Sequence, residues 1–247
     1  MPIMKDWNNM NEVTSAFTAL GGQFVLPPEQ IKSKLAGIKA FIFDWDGVFN
    51  KGFKSKSAPT LFAEPDAAGL NLLRLSFFKS RGAIPPCAII TGEDNPGAVY
   101  FARRDFFNGV YMKVLRKPAA MAHFCSRHQL TPAQVAFIFD DINDIALAKE
   151  CGLRFMVKKS ANPVFRSLAV KNKWCDYITG NEQDNYPIRE ICELIMALNG
   201  TYEQSLLSRI AIDDTYNIYL KAKRDIIPSV LIADENGFSE IKRAESE

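Results

Sequence analysis

Histidine, paired cysteines and long apolar runs are all scarce in this chain. Its two histidines, His123 and His128, lie five apart on one expected helix. They share no face, so surface positions are expected for both rather than metal ligation. The five cysteines (Cys87, Cys125, Cys151, Cys175, Cys192) are odd in number and without CxxC spacing. That argues against a disulfide framework and for reduced core residues in a cytoplasmic protein. No stretch approaches the ~18 uninterrupted apolar residues of a membrane span. The polar start, MPIMKDWNNMNEV, has no apolar core of signal-peptide length. A large charge of either sign is missing too. The formal net charge of +2 gives no argument for nucleic acid or a membrane surface as a partner.

What is present is ordinary globular composition, 47% hydrophobic and 23% charged over 247 residues, which suits one domain with extensions. Short β-rich runs alternate with segments of helical period. Strands are expected at Lys39–Phe43, Cys87–Ile90, Gly109–Met112, Val135–Phe139, Leu153–Val157 and Asp176–Thr179. Runs such as AFIF, CAII and VAFIF are apolar throughout, as in strands covered on both faces of a parallel sheet. Helices are expected at Ala67–Ser80, Pro96–Arg104, Pro118–His128, Ile142–Lys149 and Pro187–Leu198. Pro96, Pro118 and Pro187 suit first helical positions, where a missing N–H costs nothing.

This alternation predicts an α/β fold, a doubly wound parallel sheet of Rossmann-like type over residues 37–200. Residues 1–36 form an N-terminal extension with helices near Val13–Leu20 and at PPEQIKSKL. Residues 201–247 form a C-terminal extension: an amphipathic helix over 203–224, then a polar, mobile tail beyond Asn236.

The strand ends carry the chemistry. The run FIFDWDGVFN ends a buried strand with Asp44 and Asp46 around Trp45, then Gly47. Burying carboxylates without partners is costly, so either this is an exposed turn or something compensates both acids. Trp45 is expected in the core rather than stacked on a substrate. The second strand ends in Thr91-Gly92, the third leads to Arg116-Lys117, and the fourth ends in Asp140-Asp141 with Asp144 following. The last three acids suit a helix N-cap as well. In an open α/β sheet, however, all these ends converge on one rim, where ligands bind.

The order DxDG, TG, K, DDxxD resembles the haloacid dehalogenase-like phosphohydrolases. Within them it resembles the capless 3-deoxy-D-manno-octulosonate 8-phosphate phosphatases and related nonulosonate 9-phosphate phosphatases. The segments FDWDGVFNKG, FAEPDAAGLNLL, AIITGEDNP, KPAAM, FIFDDIND and PIREICELI carry the resemblance. It implies a Mg²⁺-dependent phosphomonoesterase with Asp44 as nucleophile and Asp46 as general acid and base. Asp44, the Asp46 backbone carbonyl and Asp140 would hold Mg²⁺, with Asp141 and Asp144 behind them. Thr91, Gly92 and Lys117 would hold the phosphoryl group, and Asp66 and Arg189 would reach the rest of the substrate. That substrate would be a phosphorylated sugar acid of lipopolysaccharide biosynthesis.

Elementary electrostatics asks for the same residue types. A phosphate dianion near a carboxylate is repelled by ~4 kcal/mol per unit pair at 4 Å and an effective dielectric of 20, which Mg²⁺ and a lysine offset. An alkoxide leaves poorly unless protonated, and that proton is worth ~10²–10⁴-fold.

The sequence also departs from the family pattern. Arg-Asp-Gly becomes Pro65-Asp66-Ala67, and Thr-Gly-Arg becomes Thr91-Gly92-Glu93. Phe139 replaces the glycine before the double aspartate, and the Gly-rich loop before the last helix becomes Asn185-Tyr186-Pro187-Ile188. The lost arginines could pair with a sugar-acid carboxylate, so a phosphatase of different or broad specificity stays open. So does a non-catalytic oligomerisation module. The segment 50–62, NKGFKSKSAPTLF, falls where the family inserts a hairpin used in tetramer formation, and a homo-oligomer, a tetramer, is expected.

Overall fold

The computed structural model describes residues 7, 9–55, 59–235 and 237–241. Nine strands form one sheet: β1 (Gln23–Phe24), β2 (Ala40–Phe43), β3 (Cys87–Ile90), β4 (Gly109–Met112), β5 (Val135–Phe139), β6 (Leu153–Met156), β7 (Tyr177–Ile178), β8 (Ser229–Asp234) and β9 (Gly237–Glu240). Their order across the sheet is β1-β7-β6-β5-β2-β3-β4-β8-β9. Only the edge strands β1 and β9 run antiparallel to their neighbours. The sheet centre is β5-β2-β3, so the strands ending in Asp44, Thr91 and Asp140 lie side by side.

The apolar runs divide by parity between two layers, as strand pleating requires. Phe41 and Phe43 face one layer, and Ala40 and Ile42 face the other. The first layer holds α1 (Met10–Ala19), α2 (Pro28–Leu35), α3 (Glu64–Arg81), α4 (Pro96–Arg104) and α8 (Pro187–Asn199). The second holds α5 (Lys117–His128), α6 (Ile145–Ala148) and α7 (Pro163–Lys171). Proline opens α4, α7 and α8 and is the second residue of α3 and α5. Gly82 (φ +73°) and Gly200 (φ +67°) close α3 and α8 in the left-handed region, which glycine enters at little cost. No domain interrupts the sheet beside the acids, since only residues 44–63 separate β2 from α3.

The structure departs from the expected elements in several places, the short edge strand β1 among them. The helix over 142–149 is a 3₁₀ turn at Ile142–Asp144 followed by α6. The helix over 203–224 is two, α9 (Tyr202–Ala211) and α10 (Asp214–Arg224). Ile212 adopts φ +49°, and Asp213 caps the new start by accepting from the Tyr216 N–H at 2.8 Å. α7 was not expected: of its nine residues only Ala169 is fully buried, with Phe165 and Val170 packed half-buried beside it, a short stripe. No element was expected at 225–235, where β8 lies although SVLIA, just after Pro228, was a strand signal, and β9 takes the start of the expected polar tail. The expected mobile tail at 236 and 242–247 lies outside the described residues, as do 1–6 and 8 of the N-terminal extension.

The five cysteines are free and buried. His123 and His128 are half-buried rather than on the surface, because their rings pack on Tyr111 and Phe124. Among the described residues no helix is long and apolar enough to cross a membrane.

Candidate active site

Each acid is set by the strand it ends. The Asp44 N–H still bonds across to Ile138 at 2.9 Å, so Asp44 leaves β2 in register with β5. The chain then turns sharply: Phe49 N–H bonds to the Trp45 carbonyl at 3.0 Å and Gly47 N–H to Asn50 at 2.9 Å. Gly47 (φ +86°) has no room for a side chain, since a Cβ there would lie 2.0 Å from Asp140 Oδ2 and 2.5 Å from Lys159 Nζ. Trp45 is fully buried, stacked on Phe49 at 5.2 Å, with its indole N–H on Thr60 Oγ1 at 2.6 Å. It is a core residue, and it anchors the turn from beneath.

Thr91 is pinned the same way, with its N–H on Tyr111 at 2.9 Å and its carbonyl accepting from Val114 at 3.1 Å. Lys117, in the first turn of α5, donates to Asp44 Oδ1 at 2.7 Å and also to Asp144. Carboxylate oxygens of Asp44, Asp140 and Asp144 all lie within 4.8 Å of one another.

These groups line a cavity of about 530 Å³ that also holds Asp46, Gly47, Gly92 and Asp141. Six acids (Asp44, Asp46, Glu93, Asp140, Asp141, Asp144) face three lysines (Lys51, Lys117, Lys159) in its wall. Burial and the charge of Asp44 push the Asp140 carboxyl up to about 8, although Lys159 opposes the rise. The same causes push Asp144 up to about 7 against the pull of Lys117. Burial pulls Lys117 down, but Asp44 and Asp144 outweigh it and hold the ammonium above its ordinary value. The surplus of negative charge and the close carboxylates fit a hard divalent cation such as Mg²⁺, which takes oxygen ligands. Asp44 and Asp140 would hold it, and Asp144 lies close enough to join them.

The remaining expected residues divide. Asp141 accepts from its neighbour Ile142 N–H at 2.8 Å and caps the 3₁₀ turn, so it is a cap at the rim of the cavity. Asp66 and Arg189 are not in the cavity. Asp66 is buried in α3 and accepts the Arg189 N–H at 2.8 Å at the start of α8. The Arg189 guanidinium bonds Glu193 at 2.6 Å. Their proximity is that of two packed helices, which the sequence pattern did not distinguish from proximity at a ligand.

Three residues escaped the sequence reading. Asn95 donates to Asp46 Oδ2 at 2.9 Å and Thr91 Oγ1 at 2.7 Å, and accepts from Lys54 Nζ at 3.0 Å. Lys54 also contacts Asp46 directly, and Lys159 contacts Asp140. The signal for Asn95 was its place between Thr91-Gly92 and Pro96, just before a helix. For Lys159 it was a cation shortly after a strand, the same kind of place as Lys117.

No protein-family model matches this chain, and no curated protein matches it. Solved structures do. A haloacid dehalogenase superfamily hydrolase of subfamily IIIA from Legionella pneumophila is 24% identical, with a TM-score of 0.61, covering 74% of this chain and 95% of that one. The 3-deoxy-D-manno-octulosonate 8-phosphate phosphatase from Moraxella catarrhalis, solved with magnesium, phosphate and the sugar acid, is 24% identical with a TM-score of 0.59. That match covers 73% of this chain and 98% of the other. A cobalt-bound phosphatase of the same activity from Haemophilus influenzae gives 23% identity and a TM-score of 0.58, covering 70% and 99%. The chain shares their fold.

Proposed function

We propose that this protein is a haloacid dehalogenase-type phosphomonoesterase that works through an aspartyl-phosphate. One observation carries the reading: Asp44 Oδ1 sits 2.7 Å from the Lys117 ammonium inside a cavity that also holds Asp46, Thr91, Asp140 and Asp144. Asp44 attacks phosphorus, and the bond from phosphorus to the ester oxygen breaks. Asp46, held by Asn95, gives its proton to the departing alcohol. Asp46 then takes a proton from water, which hydrolyses the aspartyl-phosphate and frees inorganic phosphate and Asp44. Thr91 and Lys117 hold the phosphoryl oxygens throughout. Bound by Asp44, Asp140 and the Asp46 carbonyl, Mg²⁺ would supply positive charge against the phosphate's own.

The test is hydrolysis of p-nitrophenyl phosphate with and without Mg²⁺ by the wild type and by Asp44→Asn. The substitution keeps the side-chain volume and removes the nucleophile, so turnover falls to background while the circular dichroism spectrum is unchanged. Near-normal Mg²⁺-dependent activity in a clean preparation of the Asp44→Asn variant would overturn the mechanism, and an inert wild type would favour a non-catalytic module.

For the alcohol half, likeness to the octulosonate 8-phosphate phosphatases supports a sugar-acid phosphate. A second reading rests on the cavity wall, where Glu93 stands and no arginine lines it among the described residues. An acid there opposes a substrate carboxylate and favours a neutral or amino-sugar phosphate. A panel of sugar-acid, neutral and amino-sugar phosphates ranked by kcat/KM separates the two.

We also propose a homo-oligomer, a tetramer. Exposed Phe53 and Leu61 in the 50–62 segment, with Leu115 and Ile142 near the cavity, support it.

A further inference from the structure

A second cavity, of about 440 Å³, lies where α9 and α10 pack on α3 and the end of α4, and it shares no lining residue with the first. Its wall holds Glu64, Arg104, Asp105, Arg189, Arg209 and Lys223. Both acids lie beside Arg104, although Asp105 Oδ2 is buried without a hydrogen-bond partner among the described residues. Glu64 pairs with Arg104 at 2.6 Å; Asp105 accepts from Asn71 at 2.7 Å and lies 3.7 Å from Arg104.

The cations are not all matched. Lys223 is about nine-tenths buried, donates among the described residues only to the neutral side-chain oxygen of Asn71, and lies 5.4 Å from the Phe106 ring. Arg209 lies over the Tyr216 ring at 4.7 Å. Behind the wall, fully buried Arg74 spends its guanidinium on the carbonyls of Asp105 (2.6 Å) and Phe106 (2.8 Å). Among the described residues none of these three cations has a carboxylate within 4 Å. Asp105, bridged to Lys223 by Asn71, supplies part of a counter-charge, but a buried cation with no carboxylate in contact is still costly, and an aromatic face beside an open cavity offsets only part of that cost.

We propose that this cavity is a second small-molecule site, which takes a compact anion, the phosphate or carboxylate of a metabolite, between Lys223 and Arg209. The Tyr216 ring and the apolar side chains of Leu206 and Leu220 form the floor for the rest of the molecule. Nothing in this inference depends on the phosphatase reading. Burial and the neighbouring charge of Arg74 outweigh the opposing charge of Asp105 and hold Lys223 down at about 8, so part of it is neutral amine in mildly alkaline buffer.

That property supplies a probe. Pyridoxal 5′-phosphate carries both an aldehyde and a phosphate. The neutral amine attacks the aldehyde carbon, water leaves, and borohydride then delivers hydride to the imine carbon to fix a secondary amine. Peptide mass spectrometry of the full chain locates the adduct, with exposed Lys221 on the same helix as the internal reference. Lys223 is expected to label about tenfold faster than Lys221, with protection by inorganic phosphate or by citrate showing which anion is preferred. Arg209→Ala, at an exposed position, should slow Lys223 labelling about tenfold, the loss of one charge-assisted contact, and leave Lys221 unchanged. Labelling of Lys223 no faster than Lys221, or insensitive to both Arg209→Ala and the anions, would overturn the proposal. The readout is an adduct rather than turnover, so an inactive enzyme would not affect it.

Discussion

Asp46 is the residue on which the chemistry turns. Its Oδ2 is held by Asn95 and Lys54, while its Oδ1 is buried without a hydrogen-bond partner among the described residues. A protonated carboxyl facing a departing oxygen would satisfy that atom. Asp46→Asn should therefore cost alkyl phosphates ~10²–10⁴-fold in the first step, and p-nitrophenyl phosphate far less, since its alcohol leaves without help. Single-turnover kinetics on both esters checks this, and equal losses would remove the general-acid role. Asn95→Ala should lower kcat about 10- to 100-fold with KM little changed, because a misplaced acid costs rate rather than affinity; steady-state kinetics with an alkyl ester reads the split.

Asp66 makes a different prediction. Burial outweighs the Arg189 N–H bond and lifts its carboxyl to about 7 from 3.8. The folded chain therefore binds a proton between pH 4 and 7 that the unfolded chain has released. Its contribution to stability is complete below about pH 4 and is lost as pH rises through about 7. Urea unfolding at several pH values should show a shallower fall over that window in Asp66→Asn than in the wild type.

At the scale of elements, the unexpected strand β8 matters most. It pairs in parallel with β4, Val110 opposite Val230 and Tyr111 opposite Leu231, and β4 leads directly to Val114 and Lys117. Val230 and Leu231 are almost fully buried, worth on the order of 3–6 kcal/mol together, a large share of a typical domain's ~5–15 kcal/mol. Ending the chain after Arg224 would remove that and bare the edge of β4. The truncated chain should lose its cooperative unfolding transition or aggregate, as followed by near-ultraviolet circular dichroism and light scattering. An unchanged unfolding midpoint would make β8 an accessory strand.

For the whole molecule, the open rim of the sheet poses a question of access. Residues 51–55 and 59–62 stay close to their own site, with Lys51 on Asp184 at 2.9 Å, Lys54 on Asp46 and Thr60 under Trp45. Phe53 and Leu61 nevertheless point outward, about four-fifths exposed. Multi-angle light scattering at working concentration should give a multiple of 27.7 kDa, four times for a tetramer. Replacing Phe53 and Leu61 together with serine should shift the mass downward. A wild type that stays monomeric with full activity would set the assembly aside.

Much of this was decided by the sequence alone. A fully buried parallel strand must be apolar on both faces, so AFIF, CAII and VAFIF announced the central strands. The residue that ends such a strand must face the rim, so Asp44, Thr91 and Asp140 were legible one by one. Local order also gave the starts of α4, α5 and α8, because proline is tolerated in the first turn of a helix and not in its interior; the same signal at Pro163 went unread. What the tertiary structure decided was which distant groups meet. Asn95 and Lys54 close on Asp46, and Lys159 on Asp140, through loop paths that no periodicity encodes. Asp66 and Arg189 carry residue types suited to ligand binding, but packing of α3 against α8 puts them together away from the cavity. The pairing of the C-terminal strands was hidden for a related reason, although SVLIA itself signals a strand. A strand is stabilised by its neighbour's backbone as much as by its own side chains, and β8 finds its neighbour, β4, more than a hundred residues earlier in the chain.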